Sequence, residues 1–372
     1  MSLFRSGSTF PGLDLPVLGG KTMLFVTNRV LEEGLTPIQQ EGAEVRLARS
    51  VNFVLDNNQA EQSFYCCRRT GVDNYTEIGS TNFFDEIKSL EADQLLFYIH
   101  GYSTLPEQAF ENAEKLQRLL DALHQAESGS LLTNSKLKNP KVVVIPLIWP
   151  CDNDRGRLKD YFDDQKAADA SGTSYMRLLQ RFLDWREKNS TLSNPCLKRV
   201  NILAYSMGSR VLRSAISLSA KYYPQNSLSL LFRNVFMPAP DIVNESLEPG
   251  QAGSMIPVMS RNVVVYYAAD DLALRASKVL NVGSPSASRR LGHTGPENME
   301  KVPRNVYAID CDDFNNSYDA PLGHAYYLDD PETGDPGLLL RHAYDCMRTG
   351  RVPETRSAIH NSRIEILNSD AL

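Results

Sequence analysis

The 372-residue sequence holds no apolar run approaching the roughly 18 residues that cross a bilayer, so no membrane span is expected. Its opening stretch, Met1 to Lys21, is broken throughout by Gly and Pro and lacks the continuous apolar core of a secretory leader. Basic residues are in deficit. Against 45 Asp and Glu stand 39 Lys and Arg, a formal net charge of −6, and phosphate neutralisation needs the opposite balance. A nucleic-acid partner is therefore not expected, and an acidic, solvated surface is. Six cysteines, Cys66, Cys67, Cys151, Cys196, Cys311 and Cys346, include no C-x-x-C pair. That spacing signals neither zinc nor a disulfide framework, and buried reduced thiols in a cytoplasmic protein are the expectation. There is no Walker loop, dinucleotide fingerprint or cluster of metal ligands, so neither cofactor nor metal is implied. Internal repeats and low-complexity tracts are also missing.

What is present is an ordinary globular composition, 42% hydrophobic and 23% charged, enough for a sizeable core. Short apolar runs at Met23–Thr27, Val51–Leu55 and Ser63–Cys67 read as opening antiparallel strands separated by polar and Gly-containing turns. Longer, uninterrupted runs follow at Gln94–His100, Lys141–Trp149, Val200–Ala204, Asn234–Met237, Asn262–Tyr267 and Asn305–Ile309. Continuous β-branched and aromatic runs suit strands covered on both faces. Helical periodicity fills the gaps at Pro106–His124, Ser174–Trp185 and Ser209–Tyr223. Strand–helix–strand units in series predict an α/β protein with a doubly wound, mostly parallel sheet, helices on both faces and antiparallel N-terminal strands. Residues 1–350 read as one domain, with about 151–197 a helical insertion and 351–372 a polar C-terminal tail.

The strongest local signal is Leu203-Ala-Tyr-Ser-Met-Gly-Ser209, where a buried strand turns directly into a helix. A nucleophile at such a turn needs small residues two before and two after it, here Ala204 and Gly208, because the backbone crowds its neighbours. Ser206 is the candidate nucleophile. An earlier strand ends at His100-Gly101-Tyr102, which suggests backbone N–H groups of Met207 and Tyr102 as an oxyanion hole, with His100 orienting the loop. Chain order places an acid and a histidine after the serine. Asp270 and Asp271 end a later strand and Asp241 ends the one before it; each is a candidate acid. Of His293, His324, His342 and His360, His324 sits in the loop after the last predicted strand and is the candidate base. The other three read as solvated or helix-surface residues. Tyr102, Trp149 and Tyr205 border these loops and are the candidate substrate contacts.

The sequence resembles a bacterial family of α/β-hydrolase-fold proteins of unknown function. The resemblance is carried by Phe25-Val-Thr-Asn-Arg29, Tyr98-Ile-His-Gly-Tyr102, Ile148-Trp-Pro150, Tyr205-Ser-Met-Gly208, Ala239-Pro-Asp241, Asp271-Leu-Ala-Leu-Arg-Ala-Ser277 and Arg290-Leu-Gly292. It implies the α/β-hydrolase fold and a Ser-His-Asp triad, and the family's Asp-x-Ala-Leu selects Asp271 over Asp270. Where the family usually carries His-Ser-Met-Gly, Tyr205 replaces the histidine and changes the wall beside Ser206. No substrate comes with the resemblance. The expected activity is hydrolysis of a small ester-like molecule, a carboxylic ester or thioester. The competing readings are a non-catalytic binding protein that keeps the fold and an acyltransferase that uses the same serine. Within 151–197, Tyr161 and Phe162 read as helix packing, and the acidic Asp160, Asp163 and Asp164 are expected to disfavour anionic substrates. The Asp241–Arg261 connection is too short for a large lid. Oligomeric state is not indicated.

Overall fold

A computed structural model describes residues 22–38, 46–126, 139–151, 157–224, 230–281, 289–353 and 364–366. The segment Met1 to Lys21, His360 and most of the 351–372 stretch lie outside the described residues. The chain opens with five strands, β1 (Met23–Arg29), β2 (Leu31–Ile38), β3 (Arg46–Phe53), β4 (Ala60–Gly71) and β5 (Asn74–Glu77). Helix α1 (Gly79–Ser89) leads into β6 (Gln94–Ile99), α2 (Pro106–Gln125) and β7 (Val142–Ile148). Next come the long α3 (Arg157–Asn189), β8 (Arg199–Ala204), α4 (Gly208–Tyr222) and β9 (Phe232–Pro238). One short turn of helix, α5 (Met255–Val258), precedes β10 (Ser260–Tyr267), α6 (Leu272–Leu280) and α7 (Leu291–Thr294). The order closes with β11 (Val306–Asp310), α8 (Asn315–Tyr318), α9 (Leu338–Thr349) and β12 (Ile364–Ile366).

Among the described residues the strands form a single twelve-stranded sheet in the order β12-β11-β10-β9-β8-β6-β7-β1-β4-β5-β3-β2. The run from β12 to β1 is parallel, and β1, β4, β5, β3 and β2 pair antiparallel. The reversal of strand order at β7-β6-β8 makes the carboxyl ends of β6 and β8 a topological switch point, where an open α/β sheet gathers ligands.

Side-chain alternation explains why helices cover both faces. Leu95, Phe97 and Ile99 of β6 join Ile202, Val235 and Val265 in a core beneath α1, α3 and α4. Leu96 and Tyr98 point the other way, with Leu203, Phe236 and Val264, into a core closed by α2 and α9. A strand buried on both faces cannot alternate apolar with polar, which is why these segments read as unbroken apolar runs.

Three differences from the sequence reading have physical causes. Strands β2 and β5 went unseen because Leu31–Ile38 is interrupted by Gly34 and Pro37 and Asn74–Glu77 is only four mostly polar residues, so neither shows an apolar run. Helix α3 starts at Arg157, well before the Ser174 periodicity, because its first turns pack polar side chains inward. Within the expected tail, Ile364–Ile366 adds a short parallel strand to β11. All six cysteines are buried, and none forms a disulfide among the described residues. Between Asp241 and Arg261 the chain makes turns and α5, with no lid. No helix of the described residues is long and apolar enough to cross a membrane.

One polar feature runs through the apolar sheet. Asn262 donates to Asn234 (2.8 Å), Asn234 to Asn201 (2.8 Å) and Asn201 to Gln94 (3.0 Å). The ends of this amide relay reach Met347 O from Gln94 (2.8 Å) and Gly350 O from Asn262 (3.3 Å). It therefore fixes the register of four strands against the C-terminal turn of α9. Replacing Asn234 with Leu leaves the Asn201 carbonyl without its donor and should cost about 1–3 kcal/mol. Urea unfolding checks this: the midpoint should fall at unchanged slope.

Candidate active site

Three residues separate the last of β8 from the first of α4, so the chain must reverse within Tyr205-Ser206-Met207. Ser206 takes φ 51°, in the left-handed region, at a cost of roughly 1–2 kcal/mol for a residue with a Cβ. Its neighbours hold it there. The Ser206 N–H donates to Pro238 O (3.0 Å), and the Asp241 N–H donates to Ser206 O (3.1 Å). Tyr205 N–H donates to Ile99 O (3.0 Å), tying the turn to the end of β6. At Gly208 a Cβ would stand 2.6 Å from both Ile99 O and His100 O, so only glycine fits. That is the physical content of the small-x-Ser-x-Gly pattern.

His324 and Asp271 arrive from the same sheet edge. Asp271 caps α6: one carboxylate oxygen accepts from the Leu274 N–H (2.9 Å) and the other from His324 Nδ1–H (2.6 Å). The carboxylate is fully buried, so both contacts are shielded from water. Asp319 organises the histidine loop by accepting from the N–H groups of His324 (2.8 Å) and Ala325 (2.7 Å). With Nδ1 committed to Asp271, His324 Nε2 accepts from Ser206 Oγ at 2.8 Å. Burial pushes the His324 imidazole down, but Asp271, with Asp241 and Asp319 further off, outweighs it and holds the pKa above the ordinary histidine value. Those aspartates set a negative potential at the imidazole. In the acidic run of α3, Asp160 and Asp164 are buried.

The other candidates are placed elsewhere. Asp270 is held by the side-chain amides of Asn315 (2.6 Å) and Asn316, away from the imidazole. Asp241 sits in a buried network in which Tyr161 (2.9 Å), Ser277 (2.7 Å) and Arg290 (3.1 Å) surround its carboxylate. Tyr205 stacks on Tyr327 with ring centroids 4.4 Å apart and stands 5.3 Å from the His324 ring. Tyr102 meets Tyr161 edge-on at 5.8 Å, and Tyr161 meets Phe162 at 5.7 Å.

Two expectations are corrected by burial. Trp149, named as a substrate contact, is 0% exposed. It stacks on His100 (5.1 Å, 8°) and its indole N–H donates to His100 O (2.9 Å), so it supports the loop from beneath. His342, read as helix surface, is fully buried on the inner face of α9, near Tyr266 OH (2.9 Å), and burial lowers its pKa to about 4. His293 lies in α7, where Arg275 donates to its Nε2 (3.3 Å). His100 is buried; its Nε2 accepts from the Trp149 N–H (3.2 Å), which leaves Nδ1–H to donate to Gly101 O (3.0 Å). Burial lowers its pKa to about 3, so this ring stays neutral. Sequence reading missed Asp319, although the Asp, Pro and Gly of Asp319-Ala-Pro-Leu-Gly323, directly before His324, are turn-forming residues.

A doubly wound sheet with a serine on a left-handed strand-to-helix turn at the switch point defines an α/β-hydrolase fold. The chain belongs to the family described as alpha/beta hydrolase of unknown function (DUF900), whose model matches residues 77–340. No curated protein matches it. Among solved structures it is similar to phospholipase PlaB from Legionella pneumophila in complex with thio-NAD, at 12% identity and a TM-score of 0.25. That match covers 61% of this chain and 39% of the phospholipase chain, so this chain spans well under half of its length. It is also similar to the product of gene lin2722 from Listeria innocua, at 11% identity and a TM-score of 0.25, covering 74% of this chain and 99% of that one.

The steric demand at the turn is open to test. Gly208→Ala should destabilise the fold by about 1–3 kcal/mol through overpacking against the β6 carbonyls, seen as a lower melting temperature.

Proposed function

We propose that this α/β hydrolase is a serine hydrolase that cleaves a carboxylic ester or thioester through an acyl-enzyme on Ser206. The observation that carries the reading is the unbroken chain from Ser206 Oγ to His324 Nε2 (2.8 Å) and from His324 Nδ1 to Asp271 (2.6 Å). In the first half-reaction Ser206 Oγ attacks the carbonyl carbon while its proton passes to His324 Nε2. The tetrahedral intermediate collapses as the bond to the leaving oxygen or sulfur breaks, and His324 returns the proton to that atom. Water then enters, loses a proton to His324 and attacks the acyl carbon, and Ser206 leaves with the proton restored. Asp271 holds the imidazole in the tautomer that presents Nε2 to the serine and stabilises the transient imidazolium.

The oxyanion falls to the backbone N–H groups of Met207 and Tyr102. Met207 is the N-cap of α4, where N–H groups have no intrahelical acceptor and the helix end favours negative charge. The Gly101–Tyr102 peptide has its carbonyl taken by His100, and a trans peptide directs its N–H the opposite way. Gly101 brings that loop close: a Cβ there would stand 3.3 Å from Ser206 Cβ. Tyr102 and Tyr205 flank this position as substrate contacts, and the aspartates around His324 disfavour an anionic acyl group.

Two experiments test the reading. A fluorophosphonate probe should label Ser206 in the wild type, located by mass spectrometry, and Ser206→Ala should be unlabelled and lose on the order of 10⁶-fold in ester turnover. Undiminished turnover by purified Ser206→Ala would sink it.

The second is a pH profile. The base works only when neutral, so labelling should fall as pH drops through the His324 pKa, with a midpoint above the ordinary histidine value. In Asp271→Asn the carboxylate's pull is gone and burial still acts, so the midpoint should move to lower pH while the plateau falls about 10⁴-fold. An unmoved midpoint would argue against the pairing.

A further inference from the structure

Ser206 and His324 do not by themselves explain how the loop after β6 keeps its shape. Ser103, next to Tyr102, has φ 55°, a second non-glycine residue in the left-handed region beside the site. Its N–H donates to Asp164 Oδ2 at 3.1 Å. Asp164 comes from α3, is fully buried, and accepts at its other oxygen from Asn58 Nδ2 (2.8 Å), in the connection between β3 and β4. A buried carboxylate accepting from backbone N–H makes a stronger bond than a neutral acceptor and tolerates little displacement. The two peptide units around Tyr102 are thus gripped separately: the Gly101 carbonyl by His100 and the Ser103 N–H by Asp164.

The helix that delivers Asp164 is itself fixed to the helix that follows the serine. Asp169 of α3 pairs with Arg210 and Arg213 of α4, and Ser214 Oγ donates to Asp169 O (2.7 Å). At Gly172 a Cβ would stand 2.1 Å from Ser214 Oγ, so the two helices touch nearly backbone to side chain. Loop and nucleophile are therefore referenced to one another through α3, by a route that avoids His324.

We propose that Asp164 is a positioning residue for the oxyanion site: it fixes the Tyr102–Ser103 peptide so that the Tyr102 N–H faces the acyl oxygen on Ser206. This rests on the serine-hydrolase reading and deepens it. Asp164 touches neither substrate nor His324, so it acts on the rate of oxyanion formation and leaves the titration of the base alone.

The test is the second-order rate of fluorophosphonate labelling of Ser206 across pH, for wild type, Asp164→Ala and Asp164→Asn, with melting temperatures recorded alongside. Asp164→Ala should label about 10- to 100-fold more slowly, as a mispositioned catalytic group does, with the same pH midpoint as wild type. Asp164→Asn keeps an acceptor for Ser103, and the Asn58 carbonyl oxygen, buried and without a partner, can turn to accept from the introduced amide. It should therefore label within about threefold of wild type, since a neutral hydrogen bond replaces a charged one. Should Asp164→Ala fail to fold, Asp164→Ser, whose hydroxyl is too short to reach Ser103, carries the same expectation. Wild-type labelling by Asp164→Ala, an equal loss in Asp164→Asn, or a shifted midpoint each overturns the proposal. An unlabelled wild type overturns the serine-hydrolase reading and this one together.

Discussion

The contact between the turn at Ser206 and the carbonyl end of β6 is the constraint on which the site depends. Ile99 O accepts from Tyr205 N–H, and the carbonyls of Ile99 and His100 lie so near Gly208 that no side chain fits between them. This closeness lets α4 begin directly behind the serine and forces Ser206 into a backbone conformation a free chain avoids. The strain is sustained because β9 and the residues after it hold the serine's own N–H and carbonyl. Strain of this kind persists only where the surroundings over-determine it.

The motifs that carry the family resemblance find their physical reason in the same neighbourhood. Ala239-Pro-Asp241 and Arg290-Leu-Gly292 are distant in sequence and meet in space. A Cβ at Gly292 would stand 2.3 Å from the Ala239 carbonyl carbon, and Arg290 pairs with Asp241 (3.1 Å). Asp241 in turn donates its N–H to Ser206 O. Both motifs therefore act as braces for the turn. A carboxylate that reads as a possible triad acid in one dimension is, in three, committed to a buried guanidinium and two hydroxyls.

Much of the architecture was legible because the parallel strands are buried on both faces and advertise themselves as unbroken apolar runs. The serine was legible because its turn admits few residue types, and His324 because its loop follows the last long strand. Burial was not legible. Trp149 and His342 belong to types found both inside and at surfaces, and only packing put Trp149 under His100 and His342 inside α9. Strands β2, β5 and β12 escaped notice because segments that are short, polar or broken by Gly and Pro acquire strand character from the neighbour they pair with, not from their own composition.

By itself the sequence determined the class of fold, the serine at the strand-to-helix turn and the histidine in the loop region after β11, since each rests on local patterning of residue types. The tertiary structure alone decided the contacts: how Asp271, which the family resemblance favours over Asp270, reaches the imidazole, that Trp149 lies buried under His100, and how α3 grips the loop beside the serine. Those choices turn on distances between residues tens to more than a hundred positions apart, and no local pattern encodes them. Asp270 and Asp271 are adjacent in the chain; the cap of α6 turns Asp271 to His324, while Asn315 and Asn316 hold Asp270 away.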